Sequence, residues 1–312
     1  LSLRRQRQMC IRDSLIAALA APLAPATAET IYVSNERANT ISVIDAATLK
    51  VTATWPVGRR PRGIVLSRDG KQLYVCASDE NAVQVVDLAS GKVVANLPSG
   101  EDPETFALSP DGTLLFASNE RDATVTAIDV PGRKVAFQVV VGVEPEGMAV
   151  SPDGRFAVST SETDNAVHWI DIARREVVAT TPTGDRPRHA EFTADGKQLW
   201  VSAELGNSVA VIDVASRQVI DTLHFTVPGI APEKVMPVQI RFTPDARQAV
   251  IALGRGNAIA IVDTATRKTR AIVPVGPRVW GVAITPDGRR AISSDGLSDT
   301  VTVVDLASAK AV

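Results

Sequence analysis

The chain has 312 residues, 45% hydrophobic and only 4% aromatic, with 33 basic against 35 acidic side chains. That is apolar material for one large repeat domain or two ordinary ones, built from Val, Ile, Ala and Leu rather than from rings. A net charge of −2 leaves no basic excess, so no nucleic-acid partner is expected.

Residues 1–28 stand apart. Arg4, Arg5, Arg7 and Arg12 precede the apolar run Leu15–Pro25, and Ala26-Thr27-Ala28 offers a small-x-small cleavage site, the layout of a secretory signal peptide. The run is too short to span a bilayer in the usual way, so a mature chain of residues 29–312 with no transmembrane segment is expected. The opening at Leu1 and the Arg- and Gln-rich stretch to Ser14 point to an N-terminal extension that is not natural. Cleavage removes Cys10 and leaves Cys76 alone in a mildly acidic chain, with no internal disulfide. Cys76 lies in the run Leu73–Ala77 and is expected to be a buried strand residue.

From Glu29 onward the chain repeats. A Ser/Thr-x-Asp-Gly turn stands at Ser67–Gly70, Ser109–Gly112, Ser151–Gly154, Thr193–Gly196, Thr243–Ala246 (with Ala for Gly) and Thr285–Gly288. An apolar pair followed by Asp recurs at Asp45, Asp87, Asp129, Asp171, Asp213, Asp263 and Asp305. Both markers step by 42 residues, except for one step of 50. Self-similarity at such a period is the mark of a repeat architecture. Between the markers lie β-branched runs of four to six residues bounded by Gly, Pro, Asn or Asp, which read as strands and leave little room for helix. Asn39, Asn81, Asn165, Asn207 and Asn257, with Asp299, mark a further hairpin, where the third repeat has Ala123. The Asp closing each third strand is expected to accept backbone N–H groups of its own turn.

Four short strands per repeat define a β-propeller blade. Six blades are expected, Gly63–Pro98, Thr105–Val141, Gly147–Pro182, His189–Thr226, Gln239–Pro274 and from Gly281 onward, each beginning on its innermost strand. Ile31–Ser34, Thr40–Ile44 and Val51–Val57 read as the second to fourth strands of a seventh blade. The chain stops at Lys310-Ala311-Val312, where a fourth strand should begin, so the period leaves about 20 residues missing. The expected fold is all-β, a seven-bladed β-propeller of four-stranded blades with an incomplete closure seam. Unpaired edges there should weaken it and invite association.

Ile31-Tyr32-Val33-Ser34-Asn35, Ile41-Ser42-Val43-Ile44-Asp45 and Pro56-Val57-Gly58 with Pro61-Arg62-Gly63 resemble the YVTN-type β-propeller repeat, and the resemblance covers Glu29 to Val312. More narrowly, Pro277-Arg278-Val279-Trp280-Gly281 and the stretch Asp295–Asp305 are similar to the β-propeller proteins associated with pyrroloquinoline-quinone (PQQ)-dependent alcohol catabolism. Those are exported proteins whose genes accompany quinoprotein dehydrogenases and ABC transport components. The resemblance implies a periplasmic location and a pathway, with a quinoprotein dehydrogenase or an ABC transport component as partner. Related repeats occur in lactonase-type propellers and in the haem d1 domain of cytochrome nitrite reductases. Without Cys-x-x-Cys-His a covalent c-type haem within this chain is excluded. With only His168, His189 and His224, no metal or cofactor is expected.

Propellers present ligands at the mouth of the central channel. Counting back from the repeated turns gives Arg62, Glu104, Glu146, Arg188, Val238 and Trp280 at one matched position, and Gly63, Thr105, Gly147, His189, Gln239 and Gly281 at the next. Arg62, Glu104, Glu146, Arg188, His189, Gln239 and Trp280 are therefore the candidate ligand-binding residues. Paired arginines suit a small anionic ligand, and Trp280 offers an apolar face. A solvated, self-balancing rim accounts for the same residues. The eight-residue insertion falls within Leu223–Val238; its Pro228, Gly229, Glu233 and Lys234 are a candidate lid or docking loop on the same face, or a tolerated surface insertion. The expected function is non-catalytic binding or scaffolding in quinoprotein-linked alcohol oxidation. The alternative is a lactonase-like hydrolase or lyase using Glu104, Glu146 and His189.

Overall fold

The structure, a computed structural model, describes residues 29–312; the expected signal peptide and Cys10 lie outside the described residues. The fold is an all-β, seven-bladed propeller. Antiparallel sheets follow one another along the chain, six of four strands and one of three. Among the described residues the only helical pieces are single 3-10 turns such as Pro232–Lys234, and no helix is long and apolar enough to cross a membrane.

The three-stranded sheet, here the seam blade, comprises Thr30–Asn35, Thr40–Asp45 and Lys50–Pro56. Blades 1 to 6 open on inner strands Pro61–Leu66, Pro103–Leu108, Pro145–Val150, Pro187–Phe192, Pro237–Phe242 and Val279–Ile284. These begin two residues earlier than the sequence pattern suggests. The reason is a break in register: the ladder slips between Pro61 and Ile64, Pro103 and Phe106, Pro145 and Met148, Pro187 and His189, Pro237 and Ile240, and Val279 and Val282. The residues of the expected mouth sit inside or directly beside these bulges. A bulge frees a residue from the ladder and re-aims its side chain, which is how a strand residue comes to face the channel mouth.

The core lies between blades. Trp169 is fully buried, with Phe156 and Phe192 edge-on at 6.0 and 6.1 Å and its indole N–H donated to Thr181 at 2.9 Å. Trp200 packs with Val211, Ile240 and Ile251 where blades 4 and 5 meet. Cys76 is fully buried, and burial pushes its thiol well above the ordinary range, so it behaves as a small apolar filler.

The turn chemistry follows the sequence. Asp111 accepts the Ser109 hydroxyl at 2.5 Å and the Thr113 N–H at 3.0 Å, and these bonds hold its carboxyl below the usual range. Asp87 and Asp213, closing third strands, accept the Ser90 and Ser216 N–H groups at 2.8 Å. The turn glycines adopt φ near +70°, and Ala246 is forced into the same left-handed region at φ 57°.

The hairpin asparagines do more than turn the chain. Each is left-handed, and the Oδ1 of Asn39, Asn81, Asn165, Asn207 and Asn257 accepts the N–H of Arg60, Asp102, Arg186, Met236 and Arg278 on the next blade, at 2.8–3.0 Å. Ala123 leaves the joint between blades 2 and 3 without that bond. The insertion is clamped down: Phe225, Val227 and Val235 are buried in the core shared by blades 4 and 5, while Pro228, Gly229, Glu233 and Lys234 stay exposed.

Candidate functional site at the channel mouth

Two features of the repeat aim side chains at the mouth. The residue two positions before each matched mouth residue is left-handed (Arg60, Asp102, Glu144, Arg186, Met236, Arg278). Its carbonyl accepts the N–H of the residue that follows the same blade's second strand, as in Glu120 to Asp102 at 3.0 Å, Glu162 to Glu144 at 3.0 Å and Glu204 to Arg186 at 2.9 Å. The mouth residues are held as well. The carbonyl of Arg62 accepts the Ser34 hydroxyl at 2.8 Å, and that of Glu146 accepts Ser118 at 2.6 Å.

Five of the expected residues meet in one belt. Arg62 Nη2 lies 2.5 Å from Glu104 and 3.4 Å from Glu146. Arg188 reaches Glu146 at 3.1 Å, Glu204 at 2.8 Å and also Glu162. Arg278 bonds Glu204 at 2.8 Å and lies 4.0 Å over the Trp280 ring, with Arg188 5.5 Å from the same ring. Arg60 joins at 2.7 Å from Asp102 and 2.9 Å from Glu104, and Arg186 at 2.7 Å from Glu162. Glu104 is wholly buried, and Glu162, Glu204 and Arg188 nearly so.

The electrostatics differ along the belt. Burial opposes ionisation of Glu204, but Arg188 and Arg278 outweigh it and hold the carboxyl below its ordinary value. Glu104 goes the other way. Burial first, then Glu146 and the hydrogen-bonded Glu120, push it up to about 9 against the pull of Arg62, so this carboxyl carries a proton at neutral pH. Asp102, Glu104 and Glu120 approach within 4.8 Å of one another, yet Arg60, Arg62 and Arg121 already hold the carboxyl groups of Asp102 and Glu104. Those guanidiniums supply the positive charge that a cation would bring.

His189 and Gln239 stand apart from the belt and serve as staples. Gln239 Oε1 accepts the Val282 N–H at 2.7 Å. His189 Nδ1 faces the Ile240 N–H at 3.4 Å, and Arg241, itself paired to Glu191, reaches Nε2 at 3.1 Å. Burial and Arg241 hold the imidazole well below its usual range, hence neutral. The exposed residues of the insertion are not bonded to the belt among the described contacts. Sequence reasoning missed Arg60, Asp102, Arg186 and Arg278, and Glu120, Glu162 and Glu204. Both sets follow the repeat, at steps of 42 residues with the one step of 50, so carrying the alignment two residues upstream, and to the residue after each second strand, finds them.

Fold and rim together define a repeat propeller with a charged mouth. The family model described as lactonase, 7-bladed beta-propeller matches residues 148–311, more than half of the chain, and the chain belongs to that family. A second model, YNCE-like beta-propeller, matches residues 14–108. Among solved structures, a chain of Kuenenia stuttgartiensis hydrazine synthase is similar, with a TM-score of 0.81 and 23% identity over 89% of this chain and 92% of that one, a likeness of fold. No curated protein sequence matches the chain significantly.

Proposed function

We propose that the chain is a non-catalytic binding propeller of the periplasm that serves PQQ-dependent alcohol oxidation by presenting its rim to a partner protein, a quinoprotein dehydrogenase or an ABC transport component. One observation carries the non-catalytic part: the belt's polar groups are taken up by one another. Arg62 and Arg188, which suited a small anion in isolation, are each held by two or more carboxyl groups, and the histidine at the mouth is sealed between a backbone amide and Arg241. The residues of the narrower resemblance support the pathway reading, because they build one corner of the mouth. Arg278 lies on Trp280, and Asp295, buried, accepts the Thr302 and Ser293 hydroxyls at 2.6 and 2.8 Å.

The test is binding of the purified chain to a purified periplasmic PQQ-dependent dehydrogenase by calorimetry. Saturable binding that weakens when the exposed rim charges are reversed, Glu36→Arg with Arg121→Glu, is expected. No binding to the dehydrogenase or to the transport component overturns the reading.

A lactonase-like activity is the second reading, and Glu104 favours it: a protonated carboxyl beside Glu146 is the arrangement of an acid and a base. Its burial argues against substrate access. Lactone hydrolysis above the buffer rate, abolished in Glu104→Gln with folding intact, would replace the binding reading.

A further inference from the structure

The turn after each third strand ends on a left-handed residue that reaches back to the preceding blade, at Gly91, Arg133, Arg175, Arg217 and Arg267. Most of these have a partner there. The Arg175 guanidinium lies 5.4 Å from the centre of the Phe137 ring, that of Arg217 lies 5.0 and 5.8 Å from Phe156 and Trp169, and Arg267 pairs with Asp221 at 3.1 Å. Between the seam blade and blade 1, Trp55 fills the place, and a Cβ on Gly91 would run into its indole nitrogen. Arg133, between blades 1 and 2, breaks the pattern. Blade 1 has Ala95 where Phe137 and Asp221 stand, Gln72 for Phe156 and Val85 for Trp169. Among the described residues Arg133 has neither a ring nor a carboxylate against it. What remains is a hollow of about 220 Å³. Val85, Leu97 and Val130 give it apolar walls, and Arg133, Tyr74 and Gln72 line it with donors. Tyr74 is only 3% exposed, and its hydroxyl has no hydrogen-bond partner among the described residues. Burial pushes that hydroxyl above its ordinary range, so it keeps its proton.

We propose that this hollow binds a small aromatic carboxylate of one ring, with the ring on Val85 and Leu97 and the carboxylate on the Arg133 guanidinium and the Tyr74 hydroxyl. The neighbouring joints state what the place takes: rings at Arg175 and Arg217, a carboxylate at Arg267. An aromatic acid brings both in one molecule. A guanidinium holds a carboxylate through two parallel N–H bonds and is drawn to the face of a ring. No carboxylate of the chain lines the hollow. Asp69, whose charge reaches Tyr74, is bonded to Ser67 and Lys71 in its own turn. At about 220 Å³ the hollow is smaller than the roughly 300–1,000 Å³ of sites for drug-sized ligands, so it takes one ring and not two. It also lies away from the charged mouth. Gln72 starts the second strand of blade 1, and it is the far end of that strand that leads to the mouth. The site therefore stands or falls independently of the rim offered to a partner protein.

The experiment titrates the chain with benzoate by calorimetry at neutral pH. Saturable binding is expected, with acetate and benzyl alcohol much weaker because each brings half of the match. Arg133→Ala is expected to weaken benzoate about tenfold and Tyr74→Phe about fivefold. Ala95 pairs with Val85 across the sheet, on the same face. Ala95→Phe, which copies Phe137 of blade 2, is therefore expected to fill the hollow and abolish binding while the melting temperature holds or rises. Arg133 lies in an exposed turn, so Arg133→Ala tests the site even where Ala95→Phe fails to fold. The proposal is overturned by an absence of saturable benzoate binding, by binding unchanged in Arg133→Ala or in folded Ala95→Phe, or by acetate binding as tightly as benzoate, which shows an adventitious ion only. Binding lost in Arg188→Ala but kept in Arg133→Ala puts the anion at the mouth, and likewise overturns it.

Discussion

Two arcs of the rim share one backbone and differ in chemistry. From Arg60 to Glu204 the mouth brings guanidinium and carboxyl groups together; further on, the matched positions hold Met236, Val238, Arg278 and Trp280, with no carboxyl group among them. The position after each second strand shows why. It is Glu36, Ser78, Glu120, Glu162 and Glu204 in turn, then Gly254 and Gly296. A Cβ on Gly254 would stand 2.7 Å from the Met236 carbonyl and 2.9 Å from Arg278 Nη1, and one on Gly296 would stand 2.7 Å from Trp280. Glycine there lets Arg278 and Trp280 lie down on the rim. The repeat dictates where a side chain stands, and the neighbouring blade decides whether that place holds a charge or a gap.

The comparison breaks most severely at Glu204, where the two arcs join. Glu204→Ala leaves Arg188 and Arg278 short of a buried partner, and a loss of about 3–5 kcal/mol is expected from urea unfolding. If the arcs were independent, the loss would be close to that of an exposed pair.

Glu104 sharpens the contrast through pH. Folded, its carboxyl stays protonated up to about 9; unfolded, it ionises from about 4.5. The unfolded chain binds fewer protons across that window, so this group's contribution to stability falls as pH rises from about 4.5 to about 9. The difference in unfolding free energy between the wild-type chain and Glu104→Gln is expected to decline through that range and level off above it. A flat difference would show that Glu104 is ionised in the fold.

Two smaller effects test the repeat rules outside the belt. Ala123→Asn supplies the missing acceptor for the Glu144 N–H in a position already at φ 51°, and a gain of about 1 kcal/mol in urea unfolding is expected. Ala246→Gly relieves a left-handed alanine in the Thr243 turn and is expected to raise the melting temperature, by a stabilisation of up to about 1 kcal/mol.

Much of the fold was legible because turns and strand ends obey local chemistry. Asp87 and Asp111 bond their own turns, so their spacing alone marked the blades. Blade order and the seam followed from the same count. The mouth was legible in part. Arg62, Glu104, Glu146, Arg188 and Trp280 do converge, since one position per repeat points to one place. Their ionisation was not readable, because the protonation of Glu104 depends on Glu146 of blade 3 and on a residue sixteen positions further along its own blade, Glu120. Nor was the role of His189, whose side chain lies between the Ile240 N–H and Arg241, about fifty residues further along the chain. The bulges were hidden for a third reason: a slipped register leaves the apolar pattern of the strand intact.

The asparagine clips make the rim a linkage with two separate runs. One passes from the seam blade through Asn39 and Asn81 to blade 2; the other starts at Asn165 in blade 3 and continues through Asn207 and Asn257 to blade 6. From Arg186 two successive clips, at Asn207 and Asn257, lead on toward Trp280, while the run that reaches Asp102 stops at Ala123. The clipped joints thus fall into two runs that part at Ala123.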